Sequence, residues 1–122
     1  MSVDLGVDMV YGFKLDRDKF KESIKLLKQM DEDFDEYIWV EDICEASACE
    51  FIWENRYCDI GNSDIYFGIV FYNRITAETL AELERDRREY VCDELVRIFG
   101  NYDILDREQI AEPELHAVAQ IW

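Results

Sequence analysis

The sequence predicts a two-layer α+β domain with two helices packed on one face of an antiparallel or mixed sheet of about four to five strands. Three observations predict it. Residues 7–15, 65–72 and 115–122 carry strand patterns, residues 16–31 and 76–99 carry helical ones, and no linker or repeat interrupts the 122 residues. The length suits one domain over 1–122, long enough to bury a core without staples.

Each element has its own signature. In residues 7–15, Met9, Tyr11, Phe13 and Leu15 alternate with Asp8, Gly12 and Lys14, although Val10 breaks the polar face. Asp16 reads as a helix N-cap, with Leu15 and Phe20 spaced as a hydrophobic staple. Phe20, Ile24, Leu27 and Met30 recur at helical spacing, and the acids from Asp31 onward oppose the macrodipole and end that helix. Residues 65–72 are apolar on both alternating faces, so they read as a central strand. Thr76 caps the second helix, with Ile75 and Leu80 as its staple. Leu80, Leu83, Val91, Leu95 and Ile98 form its buried stripe, and Gly100 stands where such a helix ends. Residues 101–114 read as a polar connection containing the only proline, Pro113.

The segment between these elements is less determinate. Residues 37–40 are β-prone, and in residues 49–55 Cys49, Phe51 and Trp53 alternate with Glu50, Ile52 and Glu54. Yet Val40, Ile43, Cys44, Ser47, Ala48 and Phe51 also fit a helical stripe, and Asp42-x-x-Glu45 resembles a capping box. Residues 41–54 therefore fit either helix or strand, and the strand reading gives the order β-α-β-β-β-α-β. Residues 59–64 have the composition of a turn.

Charge is strongly segregated. Residues 31–64 hold twelve Asp or Glu against Arg56 alone. The first thirty residues hold five acids and six bases; residues 65–122 hold twelve acids and six Arg, for a net charge of −16. In residues 76–99, acids and Arg interleave, with Glu84–Arg88 and Asp93–Arg97 at the favourable i,i+4 spacing. A partner of the middle third is expected to be cationic, which disfavours free nucleic acid and anionic membrane. The aromatic content of 14% separates this composition from a solvating acidic tail. In extended chain, alternate residues lie about 6.8 Å apart on one face. Asp31, Asp33 and Asp35, or Glu50 and Glu54 with a neighbouring strand, would then space carboxylates like the phosphates of a nucleic-acid strand. The competing account is a solvated surface. Segregation favours a binding role, because solubility alone would spread the acid evenly.

The candidate binding residues are Asp31, Glu32, Asp33, Asp35, Glu36, Glu41, Asp42, Glu45, Glu50 and Glu54, with Trp39 and Trp53 as interface anchors. Catalytic and metal chemistry find no pattern. Asp31-x-Asp33-x-Asp35 starts like a calcium loop, but Glu36 stands where glycine is needed and Asp42 where the bidentate Glu belongs. Cys44, Cys49, Cys58 and His116 have no zinc spacing. His116 is the only histidine and lacks a nucleophile motif. No cofactor, metal or catalytic residue is expected. No run approaches a membrane span, and residues 1–8 lack the basic start and apolar run of a signal peptide, so a cytosolic chain with reduced thiols is expected.

The opening strand Val10-Tyr-Gly-Phe-Lys-Leu15, the acidic middle, and Glu114-Leu-His-Ala-Val-Ala-Gln-Ile-Trp122 after Pro113 together resemble small acidic accessory proteins of tailed bacteriophages. Several proteins of that kind inhibit host defence, as anti-CRISPR or anti-restriction factors, and some mimic nucleic acid. The resemblance implies a non-enzymatic inhibitor in the host cytoplasm, docking on a basic nucleic-acid-binding bacterial protein. It carries over no catalytic residue. The mixed-sign helix departs from whole-surface mimicry and favours a local acidic patch. The alternative is a sponge or sensor that sequesters a small signalling ligand between sheet and helices or at a dimer interface. A carboxylate or metal-dependent enzyme is a third reading, and monomer and homodimer both remain open.

Overall fold

The computed structural model describes residues 5–54, 64–71 and 76–121. Its elements are β1 (Leu5–Leu15), α1 (Arg17–Met30), α2 (Glu36–Ala46), β2 (Glu50–Trp53), β3 (Ile65–Phe71), α3 (Ala77–Asp86), α4 (Arg88–Phe99) and β4 (Glu114–Ile121). The strands form one antiparallel sheet in the order β2-β3-β1-β4. The expected α+β class and the inner position of β3 hold. Of the turn expected over 59–64, residues 59–63 lie outside the described residues, as does the staple residue Ile75.

The element order differs from the expectation in two places. First, residues 37–40 are helical rather than extended. Asp35 caps α2 by accepting hydrogen bonds from the backbone N–H groups of Tyr37 and Ile38, at 2.8 and 3.2 Å. Ile43, with Trp39 and Val40, then turns toward the core. Residues 41–54 thus contain both conformations, helix to Ala46 and strand from Glu50, and Asp42-x-x-Glu45 lies inside α2 rather than capping it. Second, the helix expected over 76–99 is two helices meeting at Arg87, whose φ of −120° and ψ of −7° leave the helical range. Arg87 sits midway between Leu83 and Val91 on the buried stripe, so an unbroken helix would aim its guanidinium at the core. The break leaves Arg87 exposed, 5.9 Å from the Tyr90 ring centroid.

Helix ends follow local chemistry. The Asp16 carboxylate accepts from Lys19 N–H at 3.0 Å, and Leu15 and Phe20 meet in the core as the staple pattern requires. Thr76 accepts from Thr79 N–H at 3.2 Å. Gly100 closes α4 at φ +83°, a left-handed conformation that favours glycine.

Residues from all four helices join one core cluster on a single sheet face. Phe20 and Ile24 from α1, Ile43 from α2, Leu83 from α3, and Val91 and Leu95 from α4 meet Tyr11, Phe13, Leu15, Ile65, Phe67 and Phe51. The other sheet face has a smaller cluster of Val10, Ile52, Tyr66 and Val118. This two-sided burial is what the apolar run of β3 encodes. Residues 101–113 are more than a polar connection. Ile104 and Leu105 are buried, Ile104 C=O accepts from Asp16 N–H at 2.8 Å, and Gln109 Oε1 accepts from Lys14 N–H at 3.0 Å.

Candidate partner-binding face

α2 is built to show one side to the core and the other to solvent. Its inner side is aromatic. The Trp39 ring lies 5.9 Å from Phe51, 6.1 Å from Phe34 and 6.5 Å from both Phe20 and Phe99, measured between centroids. The far end is pinned by Tyr90 of α4, whose hydroxyl accepts from Ala48 N–H at 2.9 Å and lies 3.3 Å from Ser47 Oγ. Helix orientation is thereby set by packing, independent of the outer residues.

The outer side carries Tyr37, Ile38, Glu41, Asp42 and Glu45, all exposed. Ile38, Glu41, Asp42 and Glu45 stand at i, i+3, i+4 and i+7, one helical face. α2 contains no basic residue. Glu32, Asp33, Glu36, Glu41, Asp42 and Glu45 form no ion pair with another described residue. Elsewhere five bases are paired: Lys14 and Arg17 lie 3.6 and 3.7 Å from Asp64, Arg85 pairs with Asp86, Arg88 with Glu112 and Arg97 with Glu94. Surface pairs of this kind contribute little to stability, because solvent screens them. α2 itself adds four acids and no base to the surface, whereas α1 carries four lysines and α3 and α4 carry both signs.

The predicted binding residues do not form one array. Asp31 and Asp35 have local duties, Asp31 accepting from Asp33 N–H at 3.0 Å in the turn after α1 and Asp35 capping α2. Asp31 through Asp35 occupy that turn, not a strand, so the alternate spacing expected of an extended acid ladder is absent. In α2 neighbouring carboxylates recur by helical turns, about 5–6 Å between Cβ atoms. Glu50 and Glu54 go elsewhere. The alternation of β2 sends Phe51 and Trp53 to the helix-covered sheet face and Glu50, with Ile52, to the opposite one. Both predicted anchors, Trp39 and Trp53, are half-buried and packed against the core, each within 6.5 Å of Phe20. Sequence reasoning missed Tyr37 and Ile38, which the strand reading of 37–40 concealed. The signal that would have found them is Asp35 as an N-cap.

The titratable groups in the interior are quiet chemically. Burial raises the Cys44 and Cys92 thiols, and pushes Cys49 up to about 12. Thiols so raised are poor nucleophiles. Burial also lowers His116, whose Nε2 has no hydrogen-bond partner among the described residues. Cys58 lies outside the described residues. Among the described residues no group of three or more His, Cys, Asp or Glu is placed to hold a metal ion, and no helix is long and apolar enough to cross a membrane.

No family model, curated protein or solved structure matches this chain.

Proposed function

We propose that this protein is a non-enzymatic binding protein that lays the outer face of α2 and the 31–35 turn on a basic, nucleic-acid-binding surface of a bacterial protein and blocks it. One observation carries the reading. A helix fixed to the core by Trp39, Val40 and Ile43 turns Glu41, Asp42 and Glu45 outward with no described base to pair them. A surface tuned only for solubility has no need of that segregation, whereas a cationic groove is attracted to it at long range. The specific form of the proposal is a phage-encoded inhibitor of an anti-phage nuclease system, of anti-CRISPR or anti-restriction type, acting in the host cytoplasm. The resemblance of the chain plan to small acidic phage proteins supports that form, and so does the concentration of acid over residues 31–64.

The test is a tagged pull-down from bacterial lysate at low salt, run beside a variant carrying Glu41→Lys, Asp42→Lys and Glu45→Lys. A nucleic-acid-binding protein retained by the wild type, released by added DNA or RNA and lost in the variant is the expected result. Equal retention by both proteins sinks the reading.

A further inference from the structure

The α2 face is not purely anionic. Seven large apolar side chains are exposed among the described residues, and Leu26, Met30, Tyr37 and Ile38 are four of them. These four fall within residues 26–38, where α1 closes and α2 opens. Tyr37 is 80% and Met30 84% exposed, values at which neither ring nor thioether contributes much to the core. Single exposed apolar residues need no account, but a grouping at the leading edge of the most acidic stretch does. The Tyr37 backbone is held by its hydrogen bond to Asp35 Oδ1 at 2.8 Å. Its ring therefore projects from a fixed first turn, and Glu41 follows one turn later, about 5–6 Å away between Cβ atoms.

An exposed aromatic ring set beside outward-facing carboxylates offers the two features that an unpaired nucleotide offers, a π face and anionic oxygens. Grooves that hold single strands combine cationic side chains along the backbone path with aromatic side chains on which bases stack. Grooves that hold duplex by its phosphates meet bases already stacked inside the helix, and give an aromatic ring nothing to replace. Resting on the function proposed above, we infer that the surface blocked is a single-strand nucleic-acid groove, in which Tyr37 takes a base-stacking position and Glu41, Asp42 and Glu45 take phosphate positions. Ile38 and Met30 cover the apolar wall beside the stacked ring.

The experiment loads bacterial lysate separately on single-stranded DNA-cellulose, poly(U)-agarose and duplex DNA-cellulose, and elutes each with the intact protein, with Tyr37→Ala, with Tyr37→Phe, and with the Glu41, Asp42 and Glu45 reversal. Tyr37 is exposed, so folding is checked by circular dichroism and not expected to change. The expected result is release from a single-strand matrix at concentrations that leave the duplex matrix loaded. Tyr37→Ala should need about tenfold more protein, and Tyr37→Phe should release like the wild type. Equal release from single-strand and duplex matrices, or release unaffected by Tyr37→Ala, overturns the single-strand assignment but leaves electrostatic blocking standing. Release that is also unaffected by the charge reversal, or no release at all, overturns both.

Discussion

Tyr66 and His116 stand with ring centroids 5.2 Å apart although their strands, β3 and β4, are not neighbours. β1 runs between them, and the register places Tyr66 opposite Lys14 and His116 opposite Val10. The diagonal joining the two rings passes over Gly12, the one position of β1 there without a side chain. Gly12 in turn faces Gly68 on β3, and the strands approach so closely that a Cβ on Gly12 would lie 2.1 Å from Phe67 O and one on Gly68 would lie 2.2 Å from Tyr11 O.

Gly12→Ala and Gly68→Ala should each destabilise the protein by about 3 kcal/mol or more, the upper end of overpacking costs, because the obstructing atoms are backbone and cannot rotate away. Urea denaturation monitored by tryptophan fluorescence measures this. A cost below about 1 kcal/mol would show that the strands can separate.

His116 links stability to pH. Burial lowers its pKa from the ordinary 6.5, opposed by nearby Glu114 and a hydrogen bond to the backbone of Gly12, while Lys14 adds to the lowering. The unfolded chain therefore takes up this proton at a higher pH than the folded one. Stability from this residue is full above about pH 6.5 and is lost as pH falls from there toward the lowered value, with a slope of at most about 1.4 kcal/mol per pH unit. His116→Phe keeps a ring beside Tyr66 and should be less sensitive than wild type across that window. Parallel urea midpoints for the two proteins read the difference directly.

Cys49 should resist alkylation in the native state. It is fully buried, and a thiol pushed up to about 12 holds a negligible thiolate fraction near neutrality. Peptide mapping after iodoacetamide treatment should find Cys49 modified only when urea is present, with Cys44 and Cys92 modified first. Early modification of Cys49 would place it on a segment that opens locally.

Asp35 separates structure from charge on the α2 face. Asp35→Ala removes the acceptor for Tyr37 and Ile38 N–H and should cost about 1 kcal/mol. Asp35→Asn keeps the cap and removes the charge, so stability should change little while association with a basic partner slows, and more so at low salt. Thermal melts and association kinetics distinguish the two; equal melting of Ala and Asn variants would mean that the cap contributes nothing.

Local chemistry accounts for most of what was legible beforehand. Asp16, Thr76 and Gly100 end their helices through groups within a few residues, and the alternation of β1 and the doubly apolar β3 each point to a definite burial pattern. The concentration of acid over residues 31–64 is likewise a property of the chain, and with it the expectation of a cationic partner. What needed the tertiary structure was every choice between two locally adequate patterns. Tyr37–Val40 is β-prone by residue type, but the aromatic nucleus of Phe20, Phe51 and Phe99 offers Trp39 a place only on a helix capped by Asp35. Arg87 interrupts a helical stripe that looks continuous, and the break at this position leaves its charge in water between the buried Leu83 and Val91. These same choices fixed the candidate site, turning Tyr37 and Ile38 outward, Trp39 and Trp53 toward the core, and Glu50 to the opposite sheet face from the helices. Charge and local caps are encoded residue by residue; which side of an element meets the core depends on what the rest of the chain brings to cover it.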